Sequence, residues 1–469
     1  MEWNATGVFK RGNSERCVTD KAGKRNSYSR KVGRAVAILA VASFALMGGT
    51  SIATHSQNPA PAPSAMSLDV LAPATSAAQE APSGFDGQTN GMIDSTTHTA
   101  DQMVFQEVEE ADEGLGPIYN AQSCAECHQN PTTGGISQVT ELRVGTTSHS
   151  GVFTNPNVKI GGGSVTIPNR SLINDRAVCP SGAFPDNEVQ ERVPDGMNTR
   201  TLRTSLNTLG DGFIEAIAST TITQIASNQC RRGAGICGQA ILVPVLEVPG
   251  QMRVARFGWK NQHASLLSFS ADAYLNEQGV TSRLLAQDMT TLCKTTQDPE
   301  DHQEADGLAD IDRFARFMRS TKVPARDATL AASFGAQRGA DVFDRIQCDT
   351  CHVSSITTAP TGSVINGGAF VVPESLGNKI IHPYSDFLLH NVGTGDGIVQ
   401  NGGAGSANKM RTPPLWGVRL RTRLLHDGRA LTFDEAIRGH GGEASGVVNS
   451  YRQLSDADRQ ALLTFLRSL

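Results

Sequence analysis

Cys348-Asp349-Thr350-Cys351-His352 and, 224 residues earlier, Cys124-Ala125-Glu126-Cys127-His128 decide how this 469-residue chain is organised. C-x-x-C-H is the attachment signature of a c-type haem. Two thiols one turn apart each add across a vinyl group, and the adjacent imidazole reaches the iron as proximal ligand. The competing readings leave more unexplained. Half of a structural zinc site needs further ligands in closed tetrahedral geometry. A dithiol redox pair gives no task to a histidine that follows the second cysteine both times. Two covalently bound haem c groups are expected, anchored by Cys124, Cys127, Cys348 and Cys351, with His128 and His352 on the iron.

Such attachment belongs to an extracytoplasmic route, and the N-terminus carries a matching address. Arg30-Lys31-Val32-Gly33-Arg34 is basic, and Ala35 to Met47 is apolar but too short to span a bilayer comfortably. Ser51-Ile52-Ala53 offers small residues for cleavage, so residues 1–53 read as a signal peptide for the periplasm. Membrane contact is expected only if that segment is retained as an anchor. Residues 54–84, rich in Ala, Pro, Ser and Thr, read as a flexible linker. Without residues 1–53, 32 Lys+Arg stand against 43 Asp+Glu, a formal −11, which makes nucleic acid a poor partner. Cys179, Cys230, Cys237 and Cys293 could form two disulfides in an oxidising compartment. Cys230 and Cys237 flank a short Gly-containing loop and are the first pair to expect; buried free thiols are the alternative.

The remaining length suggests more than one core. The expected division is an N-terminal cytochrome c-like haem domain over 85–294, a linker and connecting helix over 295–327, and a C-terminal cytochrome c-like haem domain over 328–469. The expected fold class is mainly α, with β-hairpin and loop insertions. Gly151 to Asn169 reads as short strands broken by Gly and Pro, and Pro249-Gly250 separates two β-prone runs, Leu242 to Val248 and Met252 to Gly258. Leu308, Ile311, Phe314, Ala315 and Met318 lie at helical spacing. Gly335 to Ile346 reads as a helix with Cys348 just past its end, Gly339 and Phe343 sharing a face. Leu454-Ser455-Asp456-Ala457-Asp458 is a capping signal for a final helix with the stripe Leu462, Phe465, Leu466 and Leu469. Terminal helices crossing over a haem organise a class I cytochrome c. Each half also runs haem motif, Arg-Thr segment, then Phe-x-Glu-Ala-Ile (Phe213 to Ile217, Phe433 to Ile437), a short internal repeat.

Five segments carry a family resemblance: Gly114-Leu115-Gly116-Pro117, Phe257-Gly258-Trp259-Lys260, Pro383 to His390, Arg411-Thr412-Pro413-Pro414-Leu415-Trp416-Gly417 and Leu425-His426-Asp427-Gly428-Arg429-Ala430. Over about residues 100–469 the chain resembles the di-haem oxidoreductase (putative peroxidase) family, which is related to the bacterial di-haem cytochrome c peroxidases. The resemblance implies two cytochrome c-like domains, two covalent haems, a periplasmic setting and peroxide-linked redox chemistry. It also implies a Ca2+ ion between the domains. The Gly393 to Asn408 loop could supply carbonyl ligands for it, although no complete oxygen-ligand motif is present. Two departures stand out. Asn391-Val392-Gly393 replaces the family's Asp-Met-Gly, and Leu425 stands where related peroxidases place a methionine ligand, so a different sixth ligand is needed or none exists.

Di-haem chemistry needs one closed, six-coordinate haem to take electrons and one that can open to substrate. Candidates for the sixth ligand of the C-terminal haem are His426, His390, Met410 and His382, with His426 or His390 favoured because both sit in patterned segments. A hydrogen-bonded structural role competes in each case. His149 reads as a loop residue rather than a ligand. Peroxide heterolysis wants a general acid–base and a stabilising charge, and Glu141, Glu215 and Arg203 are candidates by chain position. Glu215 also reads as structural, because Glu435 holds the matching repeat position. Trp259 reads as a core aromatic or as an electron bridge. The expected function is a periplasmic di-haem c-type oxidoreductase reducing peroxide with electrons from a small cytochrome c or cupredoxin. The alternatives are a non-enzymatic di-haem electron carrier and a di-haem oxygenase or protein-modifying oxidase.

Overall fold

Long helices gather around the two haem motifs, and short strands carry much of what lies between. The computed structural model describes residues 69–74, 76–232 and 235–469; the expected signal peptide and much of the 54–84 linker lie outside the described residues. Helices of eight or more residues are α1 (Ser95–Gln106), α2 (Ser219–Arg232), α3 (Leu266–Ala273), α4 (Asp310–Ser320), α5 (Phe334–Arg345), α6 (Ser445–Arg452) and α7 (Asp456–Ser468). Among the described residues no helix is long and apolar enough to cross a membrane.

The expected helix crossing at the C-terminus is present. Ser333 and Ser455 cap α5 and α7, their hydroxyls accepting from the backbone N–H groups of Ala336 and Asp458 at 3.2 and 3.1 Å. A Cβ at Gly339 would collide with the Ala461 carbonyl and the Cβ of Phe465. The glycine therefore sets how closely the helices approach. Phe343 and Phe465 fill the gap beside it, ring centres 5.3 Å apart.

The same construction occurs at the first motif. Asp94 caps α1, and α1 packs on α4. Phe105 of α1 meets Phe317 of α4 at 5.0 Å and Phe314 edge-on at 6.0 Å. Arg316 makes a bidentate ion pair with buried Asp101, its Nε 2.6 Å from Oδ2. The amphipathic helix read from Leu308 to Met318 is thus the crossing partner of α1 as well as a connection. The equivalence extends to the motif histidines: His128 lies 6.3 Å from Phe105, and His352 lies 6.2 Å from Phe343.

The expectation of a mainly α fold is overturned. The chain is 31% helical and 16% strand, with many small sheets. The reason lies in segments dense in Thr, Val and Ile and punctuated by Gly and Pro, whose backbone groups find partners across the chain instead of along it. β1 (Thr140–Thr147) pairs with β2 (Phe153–Thr154), β3 (Leu172–Ile173) and β4 (Thr199–Thr204). The β1–β4 ladder is antiparallel, from Thr140 opposite Thr204 to Gly145 opposite Thr199. The expected hairpin forms from β5 (Leu242–Pro244) and β6 (Met252–Val254), and β7 (Leu389–His390) pairs with β8 (Met410–Arg411). One large apolar core gathers residues between Phe105 and Trp416, including Phe213, Phe314 and Phe387. A second surrounds α5 and α7. Disulfides join Cys179 to Cys293 and, as the short loop suggested, Cys230 to Cys237.

Candidate functional site

Both motifs form a single turn with the histidine just beyond it. Cys124–Cys127 is a helical turn capped by the Ser123 hydroxyl, and Cys348–Thr350 is a 3-10 turn one residue past the end of α5's cap. All four motif cysteines are unpaired, so neither C-x-x-C is a disulfide. Burial pushes the thiols of Cys124, Cys127 and Cys348 up to about 12.

The histidines are oriented alike. His128 Nδ1 lies 3.2 Å from the Gly135 carbonyl, and His352 Nδ1 lies 3.0 Å from the Tyr384 carbonyl. A carbonyl oxygen only accepts, so Nδ1 carries the proton and Nε2 keeps its lone pair. Burial holds His352 down to about 4 and lowers His128 as well. A neutral imidazole fixed through Nδ1, with Nε2 free, is what a proximal iron ligand requires.

His352, Cys348 and Cys351 line a cavity of about 200 Å³ whose walls are mostly apolar. Met410, His426 and His440 line it as well. So does Arg421, whose Nη2 donates to the Ser205 carbonyl and the Thr204 hydroxyl at 2.9 and 3.2 Å. No carboxylate faces that guanidinium among the described residues, and burial alone pulls it down to about 10. An apolar slot with a lone imidazole nitrogen and a buried, unneutralised arginine fits a haem and the carboxylate of a propionate.

The expected sixth ligands separate in space. His390 Nε2 lies 2.8 Å from Asp386 Oδ2, and its Nδ1 lies 2.9 Å from Glu443 Oε2. Both acceptors are carboxylates, so the ring is an imidazolium. Burial opposes that charge, but Asp386, Cys351 and Glu443 outweigh it and push the pKa up to about 12. Held by both carboxylates, His390 has no lone pair to offer, which leaves His426 of the two favoured histidines with an unpartnered ring nitrogen. His382 is also removed from the site, bonded at the surface to the Ser354 carbonyl and Glu80. His426 is buried; its Nε2 lies 3.2 Å from the Thr201 hydroxyl, and its Nδ1 has no partner. Met410 is buried in β8. Leu425, at the family's methionine position, lines the same cavity.

His440 was missed. Its Nδ1 donates to the Ala436 carbonyl at 2.7 Å, again leaving Nε2 free, and its ring is close enough to His352 for charge on either to disfavour charge on the other. The available signal was a histidine in a glycine-rich run, Gly439-His440-Gly441-Gly442, directly after the Phe-x-Glu-Ala-Ile helix.

At the first motif two of the three acid–base candidates come together. Arg143 binds Glu141 through Nε at 2.7 Å and Nη2 at 3.0 Å, and Arg203 Nη1 lies 3.7 Å from Glu141 Oε1. A second, unanticipated carboxyl joins them: Glu277 shares a hydrogen bond with Glu141 and takes another from Asn120 at 2.9 Å. Burial and then the Glu141 charge push Glu277 up to about 8. Burial would raise Glu141 too, but Arg143 and Arg203 hold it low. Both carboxyls act on Cys127, which places the pair beside the first motif. Glu215 lies elsewhere, bound by both Arg319 donors, the Leu266 N–H and Asn366. That carboxylate is fully engaged in holding α3 and α4. Glu435, its repeat partner, caps a surface helix instead. His149 is exposed in the loop after β1. Trp259 is buried, its Nε1 donating to the Thr204 carbonyl at 2.8 Å and its ring edge-on to His426.

A family model described as "Di-haem oxidoreductase, putative peroxidase" matches residues 185–469, a stretch that includes the second motif but not the first. Three solved structures are similar. The hydrazine synthase of Kuenenia stuttgartiensis, pressurised with xenon, is 13% identical and covers 85% of this chain and 99% of its own, with a TM-score of 0.35. A MauG-like protein associated with microbial copper homeostasis is 22% identical over 34% of this chain and 52% of its own, with a TM-score of 0.23. The di-haem peroxidase BthA of Burkholderia thailandensis is 15% identical over 85% and 95%, with a TM-score of 0.31. No curated protein matches.

Proposed function

The chain belongs to the di-haem oxidoreductase family, and on that footing we propose that it is an exported enzyme reducing peroxide with electrons from a small cytochrome c or cupredoxin. Its two haems are held by thioether bonds to Cys124 and Cys127 and to Cys348 and Cys351. The observation that carries the reading is the repeated ligand geometry, with a buried neutral histidine fixed through Nδ1 beside each cysteine pair. Two disulfides in one chain favour an oxidising compartment, in keeping with the periplasm.

The site beside His352 is the closed one. His352 and His440 would hold the haem there, since the His440 ring is oriented by a backbone carbonyl as the rings of His128 and His352 are. The site beside His128 meets substrate. A haem held by Cys124, Cys127 and His128 would supply the redox chemistry for cleaving peroxide there. Glu277 keeps its carboxyl proton near neutral pH and can release it to a leaving oxygen. Glu141, kept as a carboxylate by Arg143, can take a proton from the incoming peroxide. Arg203 lies close enough to hold Glu141 in place and to oppose developing negative charge.

The test is an electronic and EPR spectrum of the purified protein, followed by turnover with peroxide and a reduced small cytochrome. One low-spin haem, one high-spin haem that takes cyanide, and peroxide-dependent oxidation of the donor are expected. Two low-spin haems inert to cyanide would make the chain an electron carrier. Turnover with oxygen and none with peroxide would make it an oxidase.

A further inference from the structure

The resemblance to di-haem peroxidases implies a calcium ion between domains, and the Gly393 to Asn408 loop is built around a cation. That cation belongs to the chain itself. Lys260 Nζ donates to the carbonyl oxygens of Ser406, Ala407 and Lys409 at 2.9, 2.8 and 2.8 Å, with Asp396 Oδ1 at 3.2 Å. The lysine is 0% exposed. Three N–H donors meet three carbonyls, and one carboxylate balances the charge, so the cage has no room for a second ion.

Both sides of the cage are rigid. Gly402 and Gly403 turn the loop at φ of +79° and +72°, and the Ser406 hydroxyl donates to the Asn401 and Gly403 carbonyls at 2.7 Å. The lysine enters from a turn locked by Asn261 Nδ2 on the Phe387 carbonyl at 2.9 Å and by Gln262 Oε1 on the Lys260 N–H at 3.1 Å. The device recurs elsewhere. Asp288, Asp298 and Glu300 lie at metal-ligand spacing, and Lys294 Nζ sits among them at 2.9, 2.5 and 2.9 Å.

We propose that Lys260 is a tethered cation that replaces structural calcium in this loop. The cage also reaches both haem sites. Asp396 Oδ2 binds Arg203 Nε and Nη2 at 2.9 and 2.7 Å, and Lys409 directly precedes Met410 in the cavity wall.

The test uses the haem-loaded protein, and neither of its readouts depends on turnover, so it stands apart from the peroxidase reading. Calcium is measured by elemental analysis, and thermal unfolding is followed with EGTA and with excess calcium chloride. Expected are far less than one calcium per chain and a Tm that moves by under about 1 °C in either condition. Lys260→Met lowers the Tm by several degrees, because it leaves three buried carbonyls without their donor and removes one of the two cations on buried Asp396, while Lys322→Met, which breaks the exposed pair with Asp86, shifts it far less. One bound calcium per chain, a Tm that falls by several degrees in EGTA, or a Lys260→Met protein as stable as Lys322→Met would overturn the proposal. If Lys260→Met does not fold, the calcium content and EGTA response of the wild type decide alone.

Discussion

Glu277→Gln probes the acid pair beside Cys127. In the folded protein, burial and the Glu141 charge push the Glu277 carboxyl from 4.5 up to about 8, so near neutral pH the two carboxyls share one proton. The unfolded chain gives up that proton near pH 4.5. Between those values the folded state binds more protons than the unfolded one, so this group makes the protein less stable as pH rises from about 4.5 to about 8, and the effect is flat above. Each tenfold change in proton affinity is worth about 1.4 kcal/mol, which puts the ceiling near 5 kcal/mol. Sharing with Glu141 should leave on the order of 2–3 kcal/mol. Glutamine keeps the size of the side chain and an oxygen for Asn120, but it cannot ionise. The variant should match wild type near pH 5 and exceed its unfolding free energy by about 2–3 kcal/mol at pH 8, measured by urea denaturation across that range. Peroxide turnover should fall about 100-fold in the same protein. Wild-type and variant stabilities that run parallel from pH 5 to 8 would mean that Glu277 is ionised in the fold, and the assignment of the acid would be wrong.

Other outcomes follow from single contacts. His440→Ala should convert the low-spin signal of the closed haem to high-spin, whereas His390→Gln, which removes an imidazolium, should leave that haem low-spin; EPR distinguishes them. Gly339→Leu drives a side chain into the Ala461 carbonyl and should lower the unfolding free energy by at least about 1–3 kcal/mol in a denaturant titration. Arg319→Met strips Glu215 of its cation in a buried setting and should destabilise by about 3–5 kcal/mol by the same assay, while leaving the haem spectra unchanged.

The parts of the fold legible in the sequence are those whose signals are local. The two C-x-x-C-H motifs, the cap and stripe of α7, the small residue Gly339 opposite it, and the Pro249-Gly250 hairpin each declare themselves within about a dozen residues. The β1–β4 ladder did not, because Thr140 to Thr147 finds its partner far along the chain and its register is set by tertiary packing. α1, with the sequence Ser-Thr-Thr-His-Thr-Ala-Asp-Gln-Met-Val-Phe-Gln, has little apolar periodicity, so its role opposite α4 came from Phe105 and Asp101 meeting Phe317 and Arg316.

The site divides along the same line. His390 stands in a patterned segment and looked like a ligand, yet Asp386 and the distant Glu443 claim both of its nitrogens. Glu277 becomes an acid only because Glu141 lies against it. The Lys260 cage is made of backbone carbonyls, which no residue pattern announces. Glu141 and Arg203, chosen by chain position, do come together, and Glu215 does not join them.

The measurement closest to the central claim is intact mass spectrometry of the exported protein under denaturing conditions, with a Cys348→Ser, Cys351→Ser double variant alongside. Two covalently added haem masses on the wild type and one on the variant are expected. A wild-type mass with no added haem, or a variant that still carries two, would contradict it.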